Sequence, residues 1–434
     1  MSAPNRMERL GKDRLLKEIL ATIIERATAW INPAAVGRRV IGSMPRRSVW
    51  AAAIGLAGAF SCVSAASSQT AFYKVQNEAE LDGPAGTIIR QERMFEVPSN
   101  TTAYRILYRS TGLDGKPVAV SGMVIVPQGS PPPGGRPIVA WAHPTTGVIP
   151  RCAPSLPPIQ FQQIRGLPEM IQRGYVVVAT DYPGLGTAGP HPYLVGTSEA
   201  MSVLDSVRAA RSMPDVGGSN RFAVWGHSQG GQAALFTALL AKNYAPELKL
   251  VGVAAAAPAT ELGALLNDDL NSVSGKNLTS MTLWSWSQIF DAPIGRVVAA
   301  DAIPTVDQLA GECIESLVDV LERSVTERPL QQDFLLVKNL VDVEPWQNLL
   351  RKNSPGALSP TTPVFLAQGA SDIIVRPAVT KNYMARLCQA GVKVRMLLMS
   401  GTGHAFAGRD SAGAAIAWID DRFAGLSPPD DCGD

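Results

Sequence analysis

Hydrophobic and polar positions change their period several times along the chain. Tyr104 to Tyr108 and Val118 to Val126 alternate with a period of two, and the second run ends in the Pro- and Gly-rich stretch Pro127 to Pro137. The two runs are read as an opening antiparallel hairpin. Four short runs that are apolar at almost every position follow: Ile138 to Ala142, Tyr175 to Ala179, Phe222 to Trp225 and Leu250 to Ala257. Strands apolar on both faces suit the middle of a parallel sheet covered on both sides. Between them, Ser198 to Met213 and Gln229 to Asn243 carry the helical period, the first with Ala200, Val203, Leu204 and Val207 on one face. Pro363 to Ala367 and Lys393 to Met399 read as late strands separated by a helix over Ala378 to Gln389, and Ser411 to Phe423 as a closing helix. Strand and helix alternating in this way predict an α/β fold with a doubly wound, mostly parallel sheet.

From residue 261 to 360 the alternation breaks. About a hundred residues are helical in character, with aromatics at Trp284, Trp286, Phe290, Phe334 and Trp346. A stretch this long between late strands carries its own structure and is read as a helical cap. The expected division is an N-terminal extension and signal peptide at 1–65, a first core part at 66–260, the cap insertion at 261–360 and a second core part at 361–434.

Composition changes this picture at one end. The 434 residues carry 39 Lys and Arg against 37 Asp and Glu, a net charge of +2, but residues 1 to 47 hold ten basic and four acidic residues. That leaves 29 basic against 33 acidic residues, so the remainder is acidic and offers no basic surface for a nucleic-acid partner. After Arg46-Arg47 comes an apolar run from Val49 to Phe60 and then Val63-Ser64-Ala65, the order of a secretory signal over about residues 44–65. A membrane anchor needs about 20 strongly apolar residues, and this run is shorter and rich in Ala and Gly. Met44 is an alternative start, and the mature chain is expected to begin near residue 66, exported from the cell. Beyond Cys62 the cysteines are Cys152, Cys313, Cys388 and Cys432, an even set that suits an oxidising compartment. Of three possible pairings, Cys152 with Cys313 and Cys388 with Cys432 tie neighbouring parts of the expected fold; free buried thiols are the alternative. With no C-x-x-C and only four histidines, neither metal nor cofactor is expected.

The candidate chemistry centres on Gly226-His227-Ser228-Gln229-Gly230, which fits G-x-S-x-G and lies between an apolar strand and a helix. That context is a nucleophile elbow: a sharp turn projects the serine, and the glycines leave room for passing backbone. A serine hydroxyl needs a base, and only His404 of His143, His191, His227 and His404 follows Ser228, as the Ser, acid, His order requires. It is placed in a flexible turn, Ser400 to Phe406, after the last strand. Asp372 follows the preceding strand and is the expected acid, ahead of Asp342 and Glu344. The oxyanion donors expected are the amide of Gln229 and, because Pro144 has no N–H, Thr145 in the loop His143 to Gly147, its hydroxyl a helper. His143 and His227 are read as structural. Thr180 to Gly186 either walls the substrate site or is a plain turn, and Trp284, Trp286 and Phe290 line an acyl channel or form plain core.

These residues resemble the α/β-hydrolase superfamily and, more closely, the secretory lipase family of the yeast lipase A type. The resemblance rests on Asp181-Tyr182-Pro183-Gly184-Leu185-Gly186, on Leu204-Asp205-x-x-Arg208-Ala209, on the elbow, and on Ala255 to Leu262, and it runs from about Thr102 to Phe423. It implies a helical cap over the site and hydrolysis of carboxylic esters, including acylglycerols. The loop His143-Pro144-Thr145-Thr146 departs from the fungal members, which often carry an acidic residue there.

The expectation is therefore a secreted serine esterase or lipase that takes a small-molecule or lipid ester and makes transient contact with lipid interfaces. Its rivals are an acyltransferase with the same triad and a non-catalytic binding protein on a hydrolase fold; for a peptidase, no acidic cluster suggests capture of a substrate amino terminus.

Overall fold

The computed structural model describes residues 71–270, 272–314, 317–331 and 334–433. The signal read at 44–65 and the boundary at 66 lie outside the described residues. Nine strands form one sheet: β1 (Ile88–Arg93), β2 (Thr101–Thr111), β3 (Pro117–Pro127), β4 (Arg136–Ala142), β5 (Val176–Thr180), β6 (Gly218–His227), β7 (Lys249–Ala256), β8 (Val364–Gly369) and β9 (Val394–Met399). Their order is β1-β2-β3-β5-β4-β6-β7-β8-β9. The first four positions pair antiparallel, and from β5 onward every pair is parallel. The opening hairpin is β2 and β3, paired from Thr101↔Pro127 to Thr111↔Pro117. Strand β1 escapes a periodicity reading because its sequence IIRQER is mostly polar, which suits an edge strand.

The continuous apolar runs split cleanly between two faces. Ile138, Ala140, Val176, Val178, Phe222, Val224, Val253 and Ala255 join one core, together with helices α3 (Gly196–Ser212), α4 (Gln229–Tyr244) and α10 (Pro377–Gln389). Their neighbours Val139, Trp141, Val177, Ala179, Ala223, Trp225, Ala254 and Ala256 join the other, under α1 (Gln160–Gln163), α2 (Leu167–Gln172) and α11 (His404–Phe423). This is the period-two alternation of a strand, with both faces kept from water by helices.

Helix α11 starts seven residues earlier than the periodicity predicts, at His404 rather than Ser411. The stretch Ser400 to Phe406, with Gly401 and Gly403, reads locally as a flexible turn, and Gly408 just beyond it delays the helical pattern. Gly408 is instead a helical residue at a close approach: a Cβ there would lie 2.9 Å from Cγ of the buried His227 ring. Tertiary packing, not turn propensity, sets the residue type.

Between β7 and β8 lie α5 (Leu262–Asp269), α6 (Val273–Ile289), α7 (Ile303–Ala310), α8 (Leu317–Thr326) and α9 (Trp346–Lys352). Ser272 caps α6, its side chain accepting from the Gly275 N–H. These helices pack around Trp286 and Trp346, whose rings stack 6.4 Å apart at 12°.

The chain is bridged at Cys152–Cys313 and Cys388–Cys432. The first bond joins the segment after β4 to the helical segment, and the second ties α10 to the C-terminal tail. The second closes 44 residues, a loop whose release in the unfolded chain corresponds to about 4 kcal/mol of lost stability. Replacing both Cys388 and Cys432 by Ser is expected to lower the unfolding free energy by roughly 2–4 kcal/mol, read as a shifted denaturant midpoint. An unchanged midpoint would mean the bond adds nothing to the folded state.

Candidate active site

Strand β6 ends at His227 and helix α4 begins at Gln229, so one residue, Ser228, makes the whole reversal. Its backbone lies at φ 57° and ψ −118°, a left-handed position that costs a residue with a side chain roughly 1–3 kcal/mol. The flanking glycines make the turn possible. A Cβ on Gly226 would lie 2.1 Å from the Gly230 carbonyl oxygen, and one on Gly230 would lie 1.9 Å from the Ala142 carbonyl oxygen.

The three residues proposed as nucleophile, base and acid stand in one hydrogen-bonded chain. His404 Nε2 is 2.8 Å from Ser228 Oγ, and His404 Nδ1 is 2.8 Å from Asp372 Oδ2. Asp372 is buried and heavily used: Oδ1 accepts the N–H groups of Ile374 and Val375 at 2.9 Å each, while Oδ2 also accepts from Gln368 Nε2 at 3.2 Å. A carboxyl group so held can accept from imidazole Nδ1–H, which leaves Nε2 as a hydrogen-bond acceptor toward the Ser228 hydroxyl. His404 is the first residue of α11, so a helix rather than a flexible turn aims it. Neither Asp342 nor Glu344 occupies the place of Asp372.

Burial keeps the other histidines neutral. It pulls His143 down to about 4, and His191 and His227 down to about 3. Each ring hydrogen-bonds a backbone carbonyl: His143 that of Pro144, His191 that of Pro183, and His227 that of His404. His227 therefore braces the base from behind.

On the oxyanion side, Gln229 opens α4, so its N–H has no carbonyl one turn earlier to bond within the helix. Thr145 lies after β4, and its hydroxyl is 2.9 Å from the hydroxyl of Tyr193. The Gln229 carboxamide points away from the nucleophile into a buried network. Its Nε2 lies 2.7 Å from His191 Nε2 and donates to Glu199 Oε1 at 2.8 Å. Burial pushes the Glu199 carboxyl up to about 8.

Above Ser228 sits a small enclosed cavity of about 20 Å³, lined by Tyr193, Leu194, Leu265, Leu266, Leu278, Ile374 and Val375 among others. That is room for about one water-sized group. Larger grooves of about 1170 and 920 Å³ lie elsewhere and include none of Ser228, Asp372 and His404, so the small cavity is the one relevant to the chemistry. Trp284, Trp286 and Phe290 do not line it. Trp286 is fully buried, its Nε1–H donating to the Tyr193 carbonyl, while Phe290 faces the 920 Å³ groove. Residues 180 to 186 do not line it either: Asp181 is buried among Ser121 and Ser155, so this stretch stabilises the core.

Tyr193, His191 and Glu199 are the members that sequence reasoning misses. Each reads as ordinary alone, and the one signal is a glutamate facing the apolar side of a helix beside a glutamine in the elbow. Among the described residues no group of three or more His, Cys, Asp and Glu stands close enough to hold a metal ion.

The family model described as "Secretory lipase" matches residues 159–431. The chain is 26% identical over 363 residues to a probable inactive lipase of Mycobacterium tuberculosis, covering 78% of this chain and 79% of that protein. It is 24% identical over 396 residues to a secreted triacylglycerol lipase of Malassezia globosa, covering 84% and 81%. Among solved structures it resembles Candida antarctica lipase A in its closed state, with a TM-score of 0.70 at 21% identity over 84% of this chain and 87% of that one. The rice cell wall degrading esterase LipA of Xanthomonas oryzae gives a TM-score of 0.62 at 20% identity, covering 80% and 100%. At these identities the structural likeness establishes the α/β-hydrolase fold.

Two outcomes are expected. Asp372→Asn places an amide N–H among four donors, so labelling of Ser228 by a fluorophosphonate probe should slow by about 10⁴-fold in a folded protein. Labelling at the parent rate would remove Asp372 from the site. The second concerns stability: the Glu199 carboxyl titrates at about 8 folded, against an ordinary value of 4.5. Between those values the folded chain keeps a proton that the unfolded chain has released, so stability falls as pH rises through the window. Thermal melts of Glu199→Gln should show that slope flattened; an unaltered slope would assign it to other groups.

Proposed function

The chain belongs to the secretory lipase family, and on that premise we propose that it is a secreted serine hydrolase of carboxylic esters, acylglycerols or other lipophilic esters among them. The observation that carries the proposal is the hydrogen-bonded chain Ser228, His404, Asp372 at 2.8 Å per link. A relative described as an inactive lipase makes this point necessary, since family membership alone leaves activity open.

In the proposed reaction Ser228 Oγ attacks the ester carbonyl carbon while His404 Nε2 takes its proton. Asp372 holds the tautomer and stabilises the imidazolium that forms. The Gln229 N–H and Thr145 bind the oxyanion, each such donor contributing about 3 kcal/mol to the transition state. His404 then gives the proton to the leaving alkoxide. Water, deprotonated by His404, attacks the acyl carbon; the bond to Oγ breaks as His404 returns the proton to Ser228, and the acid leaves. Residues 261–360 are proposed as a cap over a core formed by 66–260 and 361–434. Leu265, Leu266 and Leu278 come from this segment and close the cavity over Ser228, which supports a cap that must shift before a long acyl chain enters. Export is supported by the two disulfides and by relatives described as secreted.

Ser228→Ala is expected to lower p-nitrophenyl ester turnover by about 10⁶-fold while the protein stays folded. Turnover surviving unchanged would overturn the mechanism. Product analysis with an added acceptor alcohol separates hydrolysis from acyl transfer, and esters from acetate to long acyl define the substrate class.

A further inference from the structure

One buried carboxyl stands behind both halves of the proposed oxyanion hole. Glu199 is fully buried in the first turn of α3. Its Oε1 accepts twice, from Gln229 Nε2 at 2.8 Å and from the Leu194 N–H at 3.1 Å. Its Oε2 has no partner, and neither has the side-chain oxygen of Gln229. A protonated carboxyl with one oxygen taken up by two donors carries its proton on the other oxygen.

The two contacts lead to the two donors. Gln229 supplies the backbone N–H after the nucleophile, and its carboxamide is clamped between Glu199 and His191. His191 is itself fixed: its Nδ1–H donates to the Pro183 carbonyl at 2.9 Å, its carbonyl accepts from Ser285 Oγ at 2.6 Å, and its ring stacks on Tyr182. Leu194 follows Tyr193, whose hydroxyl lies 2.9 Å from Thr145 Oγ1. The Tyr193 N–H donates to Ser285 and its carbonyl accepts from Trp286, so this short loop is anchored from α6 as well.

We propose that Glu199 is a positioning residue for the oxyanion hole: as an uncharged acid it aligns the Gln229 and Thr145 donors, and its ionisation turns them off. The inference rests on the ester-hydrolase reading above. Its physical reason is charge. Acyl transfer builds a negative charge against the Gln229 N–H, and a carboxylate one side chain behind that residue opposes it in a buried, low-dielectric site. The neutral acid holds the same geometry without that penalty. No Lys or Arg hydrogen-bonds either oxygen of Glu199 among the described residues. The ionisable groups around it include His191 and Tyr182 across the network, Tyr193, whose hydroxyl meets Thr145, just before Leu194, Tyr108 on β2, whose hydroxyl donates to the Ser202 carbonyl of α3, and Asp205 further along α3, paired with Arg208. Burial leaves His191 neutral, and Tyr182 and Tyr108 are pushed well above their ordinary values. Burial places the ionisation of Glu199 on the alkaline side of neutrality, at about 8.

The experiment is the pH dependence of kcat and KM for an ester substrate in the parent protein, Glu199→Gln and Glu199→Ala. The parent kcat should fall on the alkaline side with a midpoint near pH 8. Glu199→Gln keeps the acceptor and can never ionise, so it should retain neutral-pH kcat within about threefold and lose the alkaline fall. Glu199→Ala frees Gln229 and should lower kcat by about 10- to 100-fold with little change in KM, less than the 10²–10³ of a lost donor. A Glu199→Gln protein that keeps the parent's alkaline limb overturns the proposal, even if Glu199→Ala fails to fold. A parent protein with no ester turnover at any pH overturns the hydrolase reading and this inference with it.

Discussion

Gly230 lies so close to the end of β4 that a Cβ on it would stand 1.9 Å from the Ala142 carbonyl oxygen, and much of the candidate site follows from that approach. It lets α4 start directly against the neighbouring strand, which forces the reversal into the single residue Ser228 at φ 57°. The same approach sets the start of the loop after β4, at His143, against the first turn of α4. The parallel pairing of β4 with β6, and of β6 through β7 to β8 and β9, then delivers the other groups at the same sheet edge. Asp372 follows β8 and His404 follows β9 because strand ends in such a sheet point one way.

Charge is distributed around this edge with little redundancy. His143, His191 and His227 are buried and neutral, each engaged by a carbonyl, while His404 alone combines a carboxylate partner with the serine hydroxyl. A second carboxyl, Glu199, sits on the opposite side of Gln229 and is kept protonated by burial. The two acids thus have opposed environments: four donors around Asp372, two around one oxygen of Glu199.

The helical segment is coupled to the site through the same loops. Cys152–Cys313 bonds it to the chain just after the Thr145 loop, and the Ile314 N–H donates to the Thr146 carbonyl at 2.7 Å. Ser285 and Trp286 of α6 hold the Tyr193 loop from the other direction. A shift of α6 large enough to enlarge the 20 Å³ cavity therefore acts on the residues that hold Thr145.

Local order along the chain was enough to read the alternating α/β architecture and both cysteine pairs, and to single out Ser228, His404 and Asp372, three side chains that the fold brings within hydrogen-bond distance. Each of these depends on spacing or on a scarce residue type, which a single chain displays. The edge strand β1 and the true start of α11 were not legible, since one is mostly polar and the other is set by the His227 ring against Gly408. Nor were the partners of the oxyanion donors. Tyr193 meets Thr145 across 48 positions and Glu199 meets Gln229 across 30, contacts between residues of common types that carry no pattern along the chain. Which side chains close the cavity over Ser228 was likewise decided by packing: the aromatics of 284–290 went to the core and to another groove, and leucines from α5 and α6 took the place over the serine. Chemistry bound to motif and order is written in the sequence; chemistry bound to how two loops and a helix meet exists only once the chain has folded.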